Sequence, residues 1–94
     1  MTVVVRLASA LRLHAGGSAT LELDLPPPVT LAAVLDTLAA THPGVARRVR
    51  DEAGHLRRHV NVFVGGDNAR DLAGLHTLLA EGAEVTVLPA VSGG

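Results

Sequence analysis

Four short segments of this sequence alternate apolar and polar residues, and this pattern limits the possible folds more than any other feature. The segments cover residues 2–7, 20–25, 60–64 and 85–88. Successive side chains of a β-strand point to opposite faces of the sheet, so an alternating segment buries one face only. The alternation therefore predicts four strands whose apolar faces need a shared cover.

One long helix is predicted between the second and third of these segments. Three prolines at positions 26–28 stop the second strand, and Thr30 is placed to cap the helix with its hydroxyl. Apolar residues then recur at the spacing of one helix face over three turns, at Leu31, Val34, Leu35 and Leu38. His42 and Pro43 end the helix, since proline cannot continue the hydrogen-bond ladder.

The connecting segments carry weaker signals. Residues 8–18 are expected to form a polar connection that closes a hairpin, with Gly16 and Gly17 offering the positive φ angles of a turn. Residues 65–68 are rich in turn residues. Residues 71–79 are predicted to form a brief strand followed by a single helical turn.

Residues 45–58 suit a second short helix that touches the core through Val45, Val49 and Leu56. The same segment holds most of the chain's basic residues, namely Arg47, Arg48, Arg50, Arg57 and Arg58. No aromatic residues lie between these arginines, acidic residues do, and the formal net charge is −1, so nucleic-acid binding is not expected. The cluster is interpreted first as a solvated face and second as a docking surface for an acidic partner.

The element order predicts an α+β fold. One mixed sheet with one main helix on one face buries both apolar stripes, and the valine-rich first and last strands are expected to be central. This arrangement is the β-grasp, or ubiquitin-like, roll. Residues 1–89 are assigned to the β-grasp domain and residues 90–94 to a flexible C-terminal tail.

Length and composition exclude several classes of protein. A 94-residue chain has little room for a deep active-site cavity, so an enzyme is not expected. The absence of cysteine rules out disulfides and thiolate metal sites and agrees with a cytoplasmic location. His55 and His59 have the spacing of a helical zinc pair but lack a third ligand, so no metal is expected. No segment is long enough to span a bilayer, and no membrane partner is expected.

The sequence ends VLPAVSGG, and this segment carries the strongest functional signal. Five residues after Pro89 reach about 17 Å when extended, and their small side chains suit entry into a narrow channel of a partner. A C-terminal carboxylate is a poor electrophile until it is activated, for example as an acyl-adenylate made from ATP. The chain has neither lysine nor cysteine to capture its own activated carbonyl.

A docking face follows from the direction of the side chains in the strands. If the valines at 60, 62 and 64 face the helix, Phe63 lies on the opposite face of the sheet. Leu88 and Arg6 are expected on that outer face as well. Phe63 is the only aromatic residue of the chain, so an exposed ring beside Leu88 predicts an anchor for a partner, and Phe63→Ala is expected to weaken binding while barely altering melting.

Three stretches carry a family resemblance along nearly the whole chain, LRLHAGG at 11–17, HVNVFVGGDNAR at 59–70 and LLAEGAEVTVLPAVSGG at 78–94. With them the sequence resembles the ubiquitin-like sulfur carriers of the MoaD/ThiS family. Within that family it is most similar to the CysO branch, used in cysteine biosynthesis, which shares the LPAV-x-GG ending and the LR-x-H-x-GG turn. Ser92 stands where family members often have alanine, and it is still small.

The resemblance implies a mechanism in which the carrier itself catalyses nothing. A MoeB-like adenylating enzyme would use ATP to activate Gly94, and sulfur transfer would leave a C-terminal thiocarboxylate. A biosynthetic enzyme would then accept the sulfide, and a thiocarboxylate-releasing metalloprotease is a possible further partner. No cofactor is expected to stay bound. The residues expected to meet partners are Gly93 and Gly94 at the reacting end, and Pro89, Ala90, Val91 and Ser92 behind it.

Two other functions remain open at this point. The activated Gly94 would be joined to lysines of target proteins if the chain were a ubiquitin-like modifier. Alternatively, the chain would be the small subunit of a molybdopterin synthase, with its tail held in a larger partner. The identity of the metabolite that receives the sulfur does not follow from the sequence.

Overall fold

The computed structural model describes residues 1–89 and shows a five-stranded mixed sheet with helices packed on one face. The strands are β1 Thr2–Leu7, β2 Thr20–Asp24, β3 Val29–Thr30, β4 Val60–Val64, β5 Asp67–Asn68, β6 Leu78–Leu79 and β7 Glu84–Pro89. The helices are α1 Ser9–Arg12, α2 Leu31–Thr41 and α3 Pro43–Val49, and 3-10 turns occur at Leu13–Ala15, Ala69–Asp71 and Gly74–His76.

The strand order in the main sheet is β2-β1-β7-β4-β5. β1 forms an antiparallel hairpin with β2 and pairs in parallel with β7. β7 pairs antiparallel with β4 on its other side, and β3 and β6 form a separate two-stranded sheet. The first and last strands therefore both lie inside the sheet, as the valine-rich pattern predicted.

Helix α2 covers the sheet with the predicted apolar stripe. Thr30 caps the helix, because its hydroxyl oxygen accepts a hydrogen bond of 3.2 Å from the Ala33 amide. The inward side chains of the sheet meet this stripe in one continuous core. Its fully buried members are Leu31, Leu35, Leu38, Val3, Val5, Val29, Val34, Val45, Val49, Val62, Val85 and Val87.

The second short helix is also present, as α3. Val45 and Val49 are buried on its inner side, and Leu56 packs partly buried against the core from the irregular segment that follows. An isolated bridge pairs Leu56 with Arg50. The three apolar contacts predicted for this segment are thus confirmed.

Two connecting segments were predicted wrongly. Residues 8–18 are not simply a polar connection, because they form α1 and a 3-10 turn that bury Leu11 and Ala15 before Gly16 and Gly17 adopt positive φ angles of 66° and 89°. In residues 71–79 the order is reversed, since the helical turn precedes the short strand β6.

Smaller differences concern strand ends. β2 ends at Asp24 rather than at residue 25, although Leu25 is still buried. The two-residue strand β3 was not predicted, because a pair with β6 depends on a contact between distant parts of the chain. Within residues 1–89 no helix is both long and apolar enough to cross a membrane.

Candidate functional site

Strand β7 is the last strand and directly precedes the C-terminal segment in the sequence. Val85 and Val87 are fully buried, and β7 has hydrogen-bonded neighbours on both sides, with Val87 opposite Leu7 in β1 and Val62 in β4. Pro89, the last described residue, lies opposite Val60. Pro89 is therefore held by a strand that lies inside the sheet.

The residues predicted to form the reacting end follow Pro89 directly in the sequence. Ala90, Val91, Ser92, Gly93 and Gly94 lie outside the described residues. The roles predicted for these five residues stay predictions.

The outer face of the sheet carries the predicted docking residues in adjacent rows. Across one row Arg6, Thr86 and Phe63 are register partners, and Phe63 also lies opposite Asn68 of β5. In the next row Leu88, which is 40% exposed, lies opposite Asn61. The predicted alternation of β1, β4 and β7 is thus confirmed, and Phe63, Leu88 and Arg6 share one face.

Phe63 is half-buried rather than fully exposed. Its register partners in the sheet are Thr86 and Asn68, and part of the residue is exposed to solvent. The expectation of a freely exposed ring is therefore corrected to that of a partly covered one. The proposed role of Phe63 as an anchor stays a prediction.

An ion pair orders the polar side of the same face. The Arg6 guanidinium donates from Nε and Nη2 to both carboxylate oxygens of Glu84, at 3.1 and 3.0 Å. The hydrogen bond and then the charge of Arg6 lower the pKa of Glu84, and the same contacts raise the pKa of Arg6. Glu84 was missed in the sequence because its partner depends on the parallel register of β1 and β7.

The two histidines of the candidate zinc pair do not share a helix in the structure. His55 Nδ1 lies 4.0 Å from the Asp51 carboxylate, and His59 lies just before β4 rather than on a helix with His55. Among residues 1–89 no group of three or more potential metal-ligating side chains is present.

Comparison with known proteins agrees with this architecture. The sequence matches the ThiS family over residues 5–94. The sulfur carrier protein CysO of Mycobacterium tuberculosis is 38% identical to the chain over 96 residues, with 100% of both chains covered. The crystal structure of SAMP1 from Haloferax volcanii superposes with a TM-score of 0.86 at 33% identity and covers 100% of both chains.

A third similar structure includes two proteins. A chain in the crystal structure of the Amycolatopsis orientalis BexX/CysO complex superposes with a TM-score of 0.83 at 32% identity, over 98% of this chain and 99% of that one. These likenesses confirm the predicted β-grasp fold, since the matched chains are covered almost end to end.

Proposed function

Because this chain belongs to the ThiS family, we propose that it is a sulfur carrier whose Gly94 carboxylate is adenylated and then converted to a thiocarboxylate. The observation that carries this proposal is the similarity to the sulfur carrier CysO over the full length of both chains. The position of β7 between β1 and β4, with Val85 and Val87 buried, supports the proposal, because Pro89 at the end of β7 is then held by the sheet.

The proposed chemistry takes place on a partner, a MoeB-like activating enzyme. A carboxylate oxygen of Gly94 attacks the α-phosphorus of ATP and pyrophosphate leaves. Hydrosulfide then attacks the acyl carbonyl and AMP leaves with the oxygen that linked it to the carbonyl, so that sulfur replaces one carboxylate oxygen. ATP is consumed by the activating enzyme, and the carrier retains no cofactor.

The amino-acid composition suits an activated intermediate. A lysine amine would attack an acyl-adenylate to form an amide, and a cysteine thiolate would form a thioester. The chain contains neither residue. We propose that this absence prolongs the life of the activated form, and introducing an exposed lysine near Pro89 should shorten it.

The outer face of the sheet is the surface we propose for docking the activating enzyme. Phe63 and Leu88 supply apolar area, and the Arg6–Glu84 pair supplies a polar border. A sulfide-accepting biosynthetic enzyme of the cytoplasm is the second proposed partner, as suggested by the complex of BexX with CysO. The third proposed partner is a metalloprotease that acts on the loaded tail.

A second function is supported by a specific observation, the similarity to SAMP1, a small archaeal modifier protein. That protein of Haloferax volcanii is 36% identical over 78 residues, which cover 83% of this chain and 85% of that protein. A modifier would use the same activated Gly94 but would transfer it to the lysine of a target. The third alternative, a molybdopterin synthase subunit, is not favoured by any feature of the described residues.

Intact-mass spectrometry of the protein purified from its native cells separates these functions. A carrier is expected to show a species in which one oxygen is replaced by sulfur. Higher-mass conjugates without that species would instead establish a modifier, and stable co-purification with a larger subunit would establish the synthase. A variant lacking Gly94 is the control, and we expect it to lose the sulfur-containing species.

A further inference from the structure

Three acidic residues lie near the first residue of β7, at the end of the strand opposite Pro89. Glu84 begins this strand, and Glu81 and Asp67 lie near the same end of the sheet, since Asp67 is opposite Val64, which is itself opposite Val85. The other end of β7 is Pro89, about 17 Å away at the usual rise of a strand. These three acidic residues thus lie far from Pro89, whereas Asp51 lies close to it.

Arginines flank Pro89 on both sides. Arg12 donates from Nε to the backbone carbonyl of Leu7, 3.1 Å away, at the end of β1. On the other side Arg57 and Arg58 precede β4, and Arg70 donates to the Arg57 carbonyl over 2.8 Å. Within residues 1–89 none of these four arginines forms a salt bridge, whereas Arg6 and Arg50 each do.

A groove of about 540 Å³ opens beside Pro89 on the side of Arg57 and Arg58. Its lining combines basic side chains with an apolar floor, and consists of Arg48, Asp51, Leu56, Arg57, Arg58, His59, Val60 and Pro89. The single acidic residue is already engaged, since the Asp51 carboxylate accepts hydrogen bonds from the amides of Ala53 and His55 at 2.9 and 3.0 Å. The lining keeps a formal charge of +2 with neutral histidine, from three arginines and one aspartate.

Hydrogen bonds to the backbone hold two of the arginine side chains that line the groove. Arg57 donates from Nε to the carbonyl of Arg47 at 2.8 Å, and Arg48 donates to the carbonyl of Gly44 at 2.8 Å. The guanidinium groups of Arg57 and Arg48 are therefore each held by one backbone contact, and both side chains belong to exposed residues. Planar guanidinium groups arranged in this way suit carboxylate ligands.

We propose that this groove binds an acidic polypeptide segment of a partner, with Asp or Glu side chains on the arginines and an apolar side chain on Leu56, Val60 and Pro89. In the partner, this segment would lie beside the channel that receives residues 90–94. The existence of that channel is the only part of the inference that rests on the proposed function. Binding at the groove then holds Pro89 in a fixed position on the partner. The outer face of the sheet binds a different surface of the same partner.

Two other anions fit the groove less well. The adenylating ATP would lie at Gly94, about 17 Å beyond Pro89 when the tail is extended, so the groove arginines do not reach its phosphates. A nucleic acid would need bases stacked on aromatic side chains or a long basic track. The only aromatic residue is Phe63 on the outer face of the sheet, and Asp51 interrupts the basic lining.

The test is a titration of the full-length ¹⁵N-labelled chain, followed by amide chemical shifts. The probes are a capped acidic peptide, Glu-Asp-Leu-Glu-Asp, its uncharged Gln/Asn analogue, and a short oligothymidylate. We expect the acidic peptide alone to shift the amides of residues 56–60 saturably, with an affinity that falls as salt is added. The experiment needs neither ATP nor sulfur, so its outcome is independent of whether the chain carries sulfide.

Arg58→Gln and Arg47→Gln form a matched pair of variants. Both residues are exposed and each substitution removes one positive charge, but only Arg58 lines the groove. We expect Arg58→Gln to weaken the acidic peptide about threefold, as for a surface ion pair, and Arg47→Gln to leave its affinity unchanged. Equal losses in both variants, equal binding of the uncharged peptide, no saturable shift, or tighter binding of the oligothymidylate at these residues would each overturn the proposal.

Discussion

Removal of the Phe63 ring should separate docking from folding. The side chain is half-buried on the outer face of the sheet, opposite Thr86 and Asn68, so it contributes only part of the free energy of a buried phenylalanine. We expect Phe63→Ala to lower the free energy of unfolding by about 1 kcal/mol. For a domain of this size that corresponds to a fall in Tm of about 5 °C.

The effect on activation should be much larger. An aromatic anchor at the centre of an interface typically contributes at least about 2 kcal/mol, which corresponds to roughly a 30-fold fall in kcat/KM of the activating enzyme for this protein. Pyrophosphate release with the protein as the varied substrate measures it. Leu78→Ala is the matched control, because Leu78 is 68% exposed but belongs to the separate β3-β6 sheet. An unchanged kcat/KM for Phe63→Ala, together with a lowered Tm, would refute the role of this face.

Three further predictions concern stability and are checked by thermal unfolding. Leu35→Ala, at a fully buried position of α2, should cost about 2–5 kcal/mol and lower the Tm by more than 10 °C on the usual scale, whereas a loss no larger than that of exposed Leu72→Ala would contradict the assigned core. Thr30→Ala should cost about 1 kcal/mol because it removes the cap of α2; an unchanged Tm would show that the cap is dispensable. Arg6→Gln should lower the Tm at neutral pH but not in acid. The pKa of Glu84 is lowered in the folded state, so the ion pair stabilises the protein above the unfolded pKa of about 4.3. This contribution is lost as the pH falls through the folded pKa. A deficit of the same size in acid would exclude the ion pair as its cause.

The sheet and its cover could be predicted from the sequence because their signals are local. Each strand face is set by alternation, so the burial of Val85 and Val87 and the outward position of Leu88 followed from parity alone. The stripe of α2 and its Thr30 cap are likewise complete within one short segment.

The irregular segments could not be predicted because distant contacts determine them. α1 has only four residues, and its position depends on Leu11 reaching the core rather than on a repeating pattern. The turn at Gly74–His76 is fixed by Thr77, whose buried hydroxyl donates to the Gly74 carbonyl and accepts from the Ala73 amide. β6 exists because β3 lies beside it.

The candidate site divides in the same way. The predicted face carries Phe63, Leu88 and Arg6, because β7 pairs with both β1 and β4 and the side chains of each strand alternate between the two faces. Glu84 and the basic groove beside Pro89 could not be located, because both bring together residues from separate parts of the chain. A charge count over 45–58 found the arginines, but it could not show that they border the base of the tail.

We propose that Gly94 is the residue that is loaded with sulfur. The most direct measurement compares the full chain with a variant that lacks Gly94, each incubated with the activating enzyme, ATP and a sulfur donor, followed by the amount of sulfide delivered to an acceptor. We expect delivery by the full chain only, with the same Tm for both proteins. Sulfide delivery at the normal rate by the shortened chain would contradict the account.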